Sequence, residues 1–136
     1  MIRKYKVTLF SGFLLALFLF AGCSQNKLLE SNSYRQVSSK EAAAMMEDET
    51  DYIILDVRTP EEYEEKHITG AVNLPNETIG TEEITQLPDK EQLILVYCRS
   101  GNRSKQASQK LADLGYTNIV EFGGIKDWSG ETETGR

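Results

Sequence analysis

Leu93-Ile94-Leu95-Val96-Tyr97-Cys98-Arg99-Ser100-Gly101-Asn102-Arg103-Ser104 is the stretch on which the reading of this chain turns. Its first five residues are an unbroken apolar run, the pattern of a strand buried on both faces. From Asn102 to Leu114 the chain reads as a helix, with Ala107, Leu111 and Leu114 at core spacing and Gly115 as its stop. A thiol therefore sits at a strand end, facing the first turn of a helix. The N–H groups there lack partners along the helix and favour an anion. Gly101 supplies the backbone freedom for a tight cradle.

Charge points the same way. Cys98–Ala112 contains Arg99, Arg103, Lys105 and Lys110 and no acid, in a chain of 136 residues with 15 Lys+Arg, 21 Asp+Glu and a net charge of −6. A cysteine so placed is expected to have a depressed pKa and to be thiolate near neutral pH. The same cradle, Arg99, Ser100, Gly101, Asn102, Arg103 and Ser104, suits an oxyanion or a negatively charged adduct on sulfur. The alternative is a buried structural cysteine with the arginines solvated.

Outward from this loop, strands alternate with helices. Tyr34–Val37 reads as a short strand. Ser38 and Glu41 have capping-box spacing and open a helix through about Glu49. Tyr52–Leu55 is a buried strand ending at Asp56. Thr59-Pro60-Glu61-Glu62 is a second capping box, with Pro at the first helical position, and starts a helix to about Glu65. Ala71–Leu74 is a strand stopped by Pro75, and Thr81–Leu87 a brief helix. After the central helix come a strand at Ile119–Phe122, a turn at Gly123-Gly124 and a helical turn at Ile125–Trp128. Apolar strands joined by helices predict an α/β fold with a small parallel sheet covered on both faces. Ligands bind such sheets beyond the carboxyl ends of the strands, here Asp56–Thr59, Pro75–Gly80 and Cys98–Ser104.

The front of the chain is different material. Residues 1–22 hold Arg3, Lys4 and Lys6 and no acid, with Phe10, Phe13, Phe18 and Phe20. Val7–Ala21 is an apolar run interrupted only by Thr8, Ser11 and Gly12, short for a spanning helix. It ends in Ala21-Gly22-Cys23, which resembles a bacterial lipoprotein signal. Cleavage before Cys23 and a lipid on its sulfur are what that resemblance implies. The domain would then lie outside the cytoplasm, anchored to a membrane, with 23–33 as a polar tether. The alternative is an uncleaved anchor. With Cys23 acylated, Cys98 is the one thiol left. The acidic balance argues against nucleic acid. One His and two Cys cannot build an ordinary four-ligand zinc site without carboxylates, so no metal or cofactor is expected.

The cysteine loop resembles the active-site loop of single-domain rhodaneses, the sulfurtransferases. Leu55-Asp56-Val57-Arg58-Thr59-Pro60-Glu61-Glu62-Tyr63 with His67-Ile68-Thr69-Gly70-Ala71-Val72-Asn73-Leu74-Pro75 is similar to a second block of that family. Leu114-Gly115-Tyr116, Phe122-Gly123-Gly124-Ile125 and Trp128 are similar to a third. The resemblance spans about Tyr34–Trp128. Lys66 stands where the family often has Gly, Thr69 replaces a common Pro, and the tail after Trp128 is short.

The resemblance implies a rhodanese-like domain over 34–136 and a sulfur transfer. The Cys98 thiolate would take the outer sulfur of thiosulfate or a similar small anion as a persulfide and pass it to cyanide or a thiol. It also implies that Asp56 and Arg58 lie near the loop and brace it, although an ordinary buried ion pair is an equal reading. His67, Tyr63 and Trp128 read as structural, and the acidic run Glu47–Glu65 as a solvated face. The competitors are a phosphatase or arsenate reductase on this fold, or a thiol-based redox or binding module. Phosphatases of this type place five residues between Cys and Arg; here Cys98 and Arg103 are separated by four. A redox cycle would lack a resolving cysteine.

Overall fold

The computed structural model describes residues 33–80 and 83–136. The signal, Cys23 and nearly all of the tether lie outside the described residues. In chain order the elements are β1 (Arg35–Gln36), α1 (Ser39–Asp48), β2 (Tyr52–Asp56), α2 (Pro60–Glu65), β3 (His67–Ile68) and β4 (Val72–Asn73). A short 3₁₀ turn (Asn76–Thr78) follows, then β5 (Leu93–Cys98), α3 (Asn102–Asp113) and β6 (Ile119–Gly124). A second 3₁₀ turn (Ile125–Asp127) leads to β7 (Thr132–Glu133).

Five strands form a parallel sheet in the order β1-β6-β5-β2-β4. The most apolar strand, β5, is central. All six of its residues are buried, and they alternate between two cores. Ile94, Val96 and Cys98 pack with Ala107 and Leu111 of α3. Leu93, Leu95 and Tyr97 pack with Ala42, Met45 and Met46 of α1 and with Tyr63 and Trp128. A continuous apolar run is what a strand covered on both faces requires.

The helix starts follow their local sequence. Ser38 caps α1 and Thr59 caps α2, each in a full capping box with Glu41 and Glu62. Such a cap contributes about 1 kcal/mol. Pro60 stands at the first position of α2, where no N–H is needed. The N-cap of α3 is Gly101, in the left-handed region at φ 107°, with no side-chain cap.

Several expectations are corrected. Residues 83–87 hold a turn at Thr85–Gln86 rather than a helix, and 81–82 lie outside the described residues. Buried Ile84 and Leu87 anchor this stretch. Helical turn appears earlier, at Asn76–Thr78. Leu114 is not core but 38 % exposed, because it is the C-cap of α3. Gly123 and Gly124 do not turn the chain; both belong to β6. The tail forms β7, antiparallel to β3.

Candidate active site

Cys98 ends β5 and is 1 % exposed. Its sulfur receives the Gly101 N–H at 3.0 Å and lies 3.4 Å from the Ser104 hydroxyl oxygen. Burial pushes the thiol up. The Ser104 hydroxyl and the N–H groups of Ser104, Gly101 and Ser100 outweigh it and hold the thiol below its ordinary range. The cause is thus local hydrogen bonding to the thiolate more than the net charge counted along the loop.

The loop keeps this shape because β6 runs close beneath it. Val96 pairs with Glu121 but Cys98 with Gly124, so two steps on β5 span three on β6. This bulge carries Gly123 at φ 88°, a conformation that favours glycine. A Cβ on Gly124 would collide with the Arg99 carbonyl. The Gly-Gly pair is therefore the floor of the cysteine loop.

The two arginines differ. Arg99 is exposed, as are Ser100 and Asn102. Arg103 donates two hydrogen bonds to Glu62 of α2, at 2.7 and 2.9 Å. That pairing, opposed by some burial, holds the Glu62 carboxyl down to about 2. Glu62 also accepts the Thr59 N–H of its capping box, so one carboxylate closes α2 and ties it to the start of α3. Of the four cations read along this stretch, Arg103 is therefore compensated by an acid.

Asp56 and Arg58 form a buried cluster beside this loop. Asp56 accepts the Arg58 backbone N–H at 2.9 Å, its guanidinium at 2.6–3.1 Å, and the Tyr97 hydroxyl at 2.6 Å. Arg58 also donates to the Lys66 carbonyl, and Asn73 donates to the carbonyls of Asp56 and Arg58. Burial, with Asp56 beside it, drives the Tyr97 hydroxyl far up. The cluster joins the ends of β2, β4 and β5 through Tyr97, the residue before Cys98. Among the described residues, no hydrogen bond of Asp56 or Arg58 reaches 98–104.

His67 is buried and stacked on Tyr63, with ring centroids 3.7 Å apart. Its nitrogens meet the Tyr63 carbonyl at 2.7 Å and Glu133 of β7 at 3.1 Å. Tyr63 donates to the Ala71 carbonyl and Trp128 packs on Phe122. Each of the three thus makes contacts within the fold.

Two site residues escaped the sequence reading. Glu62 was visible only as part of a cap, and its partner Arg103 is 41 residues away. Glu121 left a trace, a lone acid inside the run Ile119–Phe122. It is buried, and it accepts from the Ser104 hydroxyl at 2.6 Å and the Gly123 N–H at 2.8 Å.

The rhodanese-like domain pattern matches residues 38–131. Thiosulfate sulfurtransferase PspE of Escherichia coli is 41 % identical over 73 residues, covering 54 % of this chain and 70 % of that protein. Thiosulfate sulfurtransferase GlpE of Coxiella burnetii is 33 % identical over 102 residues, covering 74 % of this chain and 92 % of that protein. A solved rhodanese with anions from E. coli superposes with a TM-score of 0.58 at 37 % identity, covering 62 % of this chain and 99 % of its own. A rhodanese-like protein of Staphylococcus aureus gives a TM-score of 0.65 at 25 % identity, over 75 % of this chain and 99 % of its own. With the parallel sheet, the cysteine at the end of its central strand and these likenesses together, the chain belongs to the rhodanese-like family as a rhodanese-type sulfurtransferase.

Proposed function

We propose that this domain carries sulfane sulfur from thiosulfate or a similar anionic donor to cyanide or a thiol through a persulfide on Cys98. One observation carries the reading. The sulfur is buried at the end of the central strand, yet backbone N–H groups and a hydroxyl favour its thiolate. The thiolate attacks the outer sulfur of thiosulfate. The bond from that sulfur to the sulfonate breaks, and its electron pair leaves with sulfite. The persulfide anion then sits among the N–H groups of 99–104, which offset its charge. Cyanide, or an acceptor thiolate, attacks the terminal sulfur, and the S–S electron pair returns to Cys98 as thiolate. Exposed Arg99 draws the dianionic donor in; Arg103 shapes the loop from its pairing with Glu62.

The names of the relatives support the donor class. A phosphatase or arsenate reductase of this type would have an arginine with five residues between it and the cysteine, where Ser104 stands here; Arg103 comes one position earlier and is paired with Glu62. The reaction takes place outside the cytoplasm, with the domain held on a membrane by a lipid on Cys23. The composition of residues 1–22 supports that placement. Fatty-acid labelling that persists in Cys23→Ala would sink it.

The test of the chemistry is the intact mass of the purified protein after exposure to thiosulfate. The expected result is a gain of one sulfur atom, removed by cyanide and absent in Cys98→Ser. No gain, with Cys98 still alkylatable, rules out thiosulfate as donor.

A further inference from the structure

Glu121 has no part in the reaction as drawn, and its position is not that of an ordinary strand residue. It is 2 % exposed, between buried Val120 and Phe122. One of its oxygens accepts both the Gly123 N–H and the Ser104 hydroxyl. That hydroxyl is the same group that reaches the Cys98 sulfur. It has one proton to give. The Gly101 carbonyl at 3.0 Å and the Gly123 carbonyl at 3.3 Å also lie in range. The Glu121 oxygen, at 2.6 Å, is nearest, and hydroxyl-to-carboxylate bonds are the short, strong kind.

We propose that Glu121 is a positioning residue for the sulfur transfer: its carboxylate holds the Ser104 proton, turns a hydroxyl lone pair to the Cys98 thiol, and so sets how readily that thiol ionises. In the thiol state the chain of bonds runs from S–H to the Ser104 oxygen, and from Ser104 O–H to Glu121. When Cys98 ionises, sulfur and carboxylate contest one hydroxyl proton. The share that Glu121 takes weakens the hydroxyl's bond to the thiolate, which leans more on the backbone N–H groups. The result is a thiol less acidic than the loop alone would make it. That serves attack, because the nucleophilicity of a thiolate falls with its pKa and is best used near ambient pH.

Of the charged groups near the thiol, Arg103 of α3 interacts with it and is paired with Glu62 of α2, with Glu77 also acting on Arg103, and Arg99 is exposed in the same loop. Asp56 and Arg58 of the β2 end pair with each other beyond Tyr97. Among the described residues none of these hydrogen-bonds Glu121.

The inference rests on the proposed function only in taking Cys98 as the nucleophile. It is tested on the full chain without any sulfur donor, by the pH dependence of iodoacetamide alkylation, read at the peptide that carries Cys98. In Glu121→Gln the midpoint should fall by about one pH unit, or roughly tenfold more thiolate at a pH below both midpoints. In a Ser104→Ala background the same substitution should move it less than half as far. An unmoved or raised midpoint in folded Glu121→Gln overturns the proposal. So does a shift of equal size with and without the Ser104 hydroxyl. If Glu121→Gln does not fold, Glu121→Asp keeps the charge but withdraws it from Ser104; a lowered midpoint supports the proposal and an unmoved one overturns it. Failure to gain sulfur from thiosulfate leaves this titration untouched, so the two readings fail separately.

Discussion

Two neighbouring strands, β2 and β5, run into helices at the same edge of the sheet, and the two crossings are built in opposite ways. At the end of β2, Asp56, Arg58 and Tyr97 satisfy one another, and Thr59 and Glu62 close the start of α2. At the end of β5, Gly101 leaves the start of α3 without a side-chain cap, and N–H groups converge on sulfur. A crossing whose donors are matched by its own acceptors is scaffold. A crossing that aims donors at one reactive atom is where chemistry can occur. The Glu62–Arg103 pair links the two and leaves each its character.

The largest test removes the reactive atom. Cys98→Ser keeps size and burial, and is expected to abolish sulfur transfer from thiosulfate to cyanide while thermal unfolding stays close to wild type. Activity left in that variant would move the chemistry away from the β5 crossing.

Asp56→Ala should do the reverse. It strands the Arg58 guanidinium, 5 % exposed, without its partner. Breaking a buried pair from one side costs about 3–5 kcal/mol. Urea unfolding should show that loss, while turnover per folded molecule changes less than severalfold. A collapse of turnover at intact stability would mean that the β2 crossing takes part in the reaction.

Gly124→Ala presses a methyl group against the Arg99 carbonyl beneath the cysteine loop. Overpacking of this kind costs about 1–3 kcal/mol. The loop should lift, and the midpoint of Cys98 alkylation should rise as its N–H donors withdraw. A rise in midpoint without any loss of stability would show the cradle to be softer than drawn.

The smallest effect concerns the link. The Glu62 carboxyl is lowered from 4.5 to about 2 in the fold. Its pairing therefore contributes stability above the unfolded value, and that contribution is lost as pH falls from about 4.5 toward 2. The pair is partly exposed, so it is worth roughly 0.2–1 kcal/mol. An NMR titration of Glu62 should place its midpoint near 2 and return it toward 4.5 in Arg103→Ala.

Much of this was legible without coordinates. Capping boxes at Ser38 and Thr59 mark helix starts because both partners lie within one turn of each other. The β5 run announces its burial because no polar residue interrupts it. The brief helix read at Thr81–Leu87 misled over 83–87, where the chain turns at Thr85–Gln86 between the buried anchors Ile84 and Leu87. Gly123-Gly124 misled in another way. A glycine pair signals a turn as readily as a close approach, and only the Arg99 carbonyl above it distinguishes the two.

Sequence by itself determined the parallel α/β architecture, the place of the thiol at a strand end and the polar, glycine-containing loop around it. Each is a property of residues adjacent in the chain, where periodicity, capping and backbone freedom act. Tertiary structure alone decided which charges are free. Arg103 meets Glu62, Asp56 meets Tyr97 and Ser104 meets Glu121 across separations of 41, 41 and 17 residues. A hydrogen bond is set by distance and direction in space, and those were fixed by the sheet order and the bulge in β6.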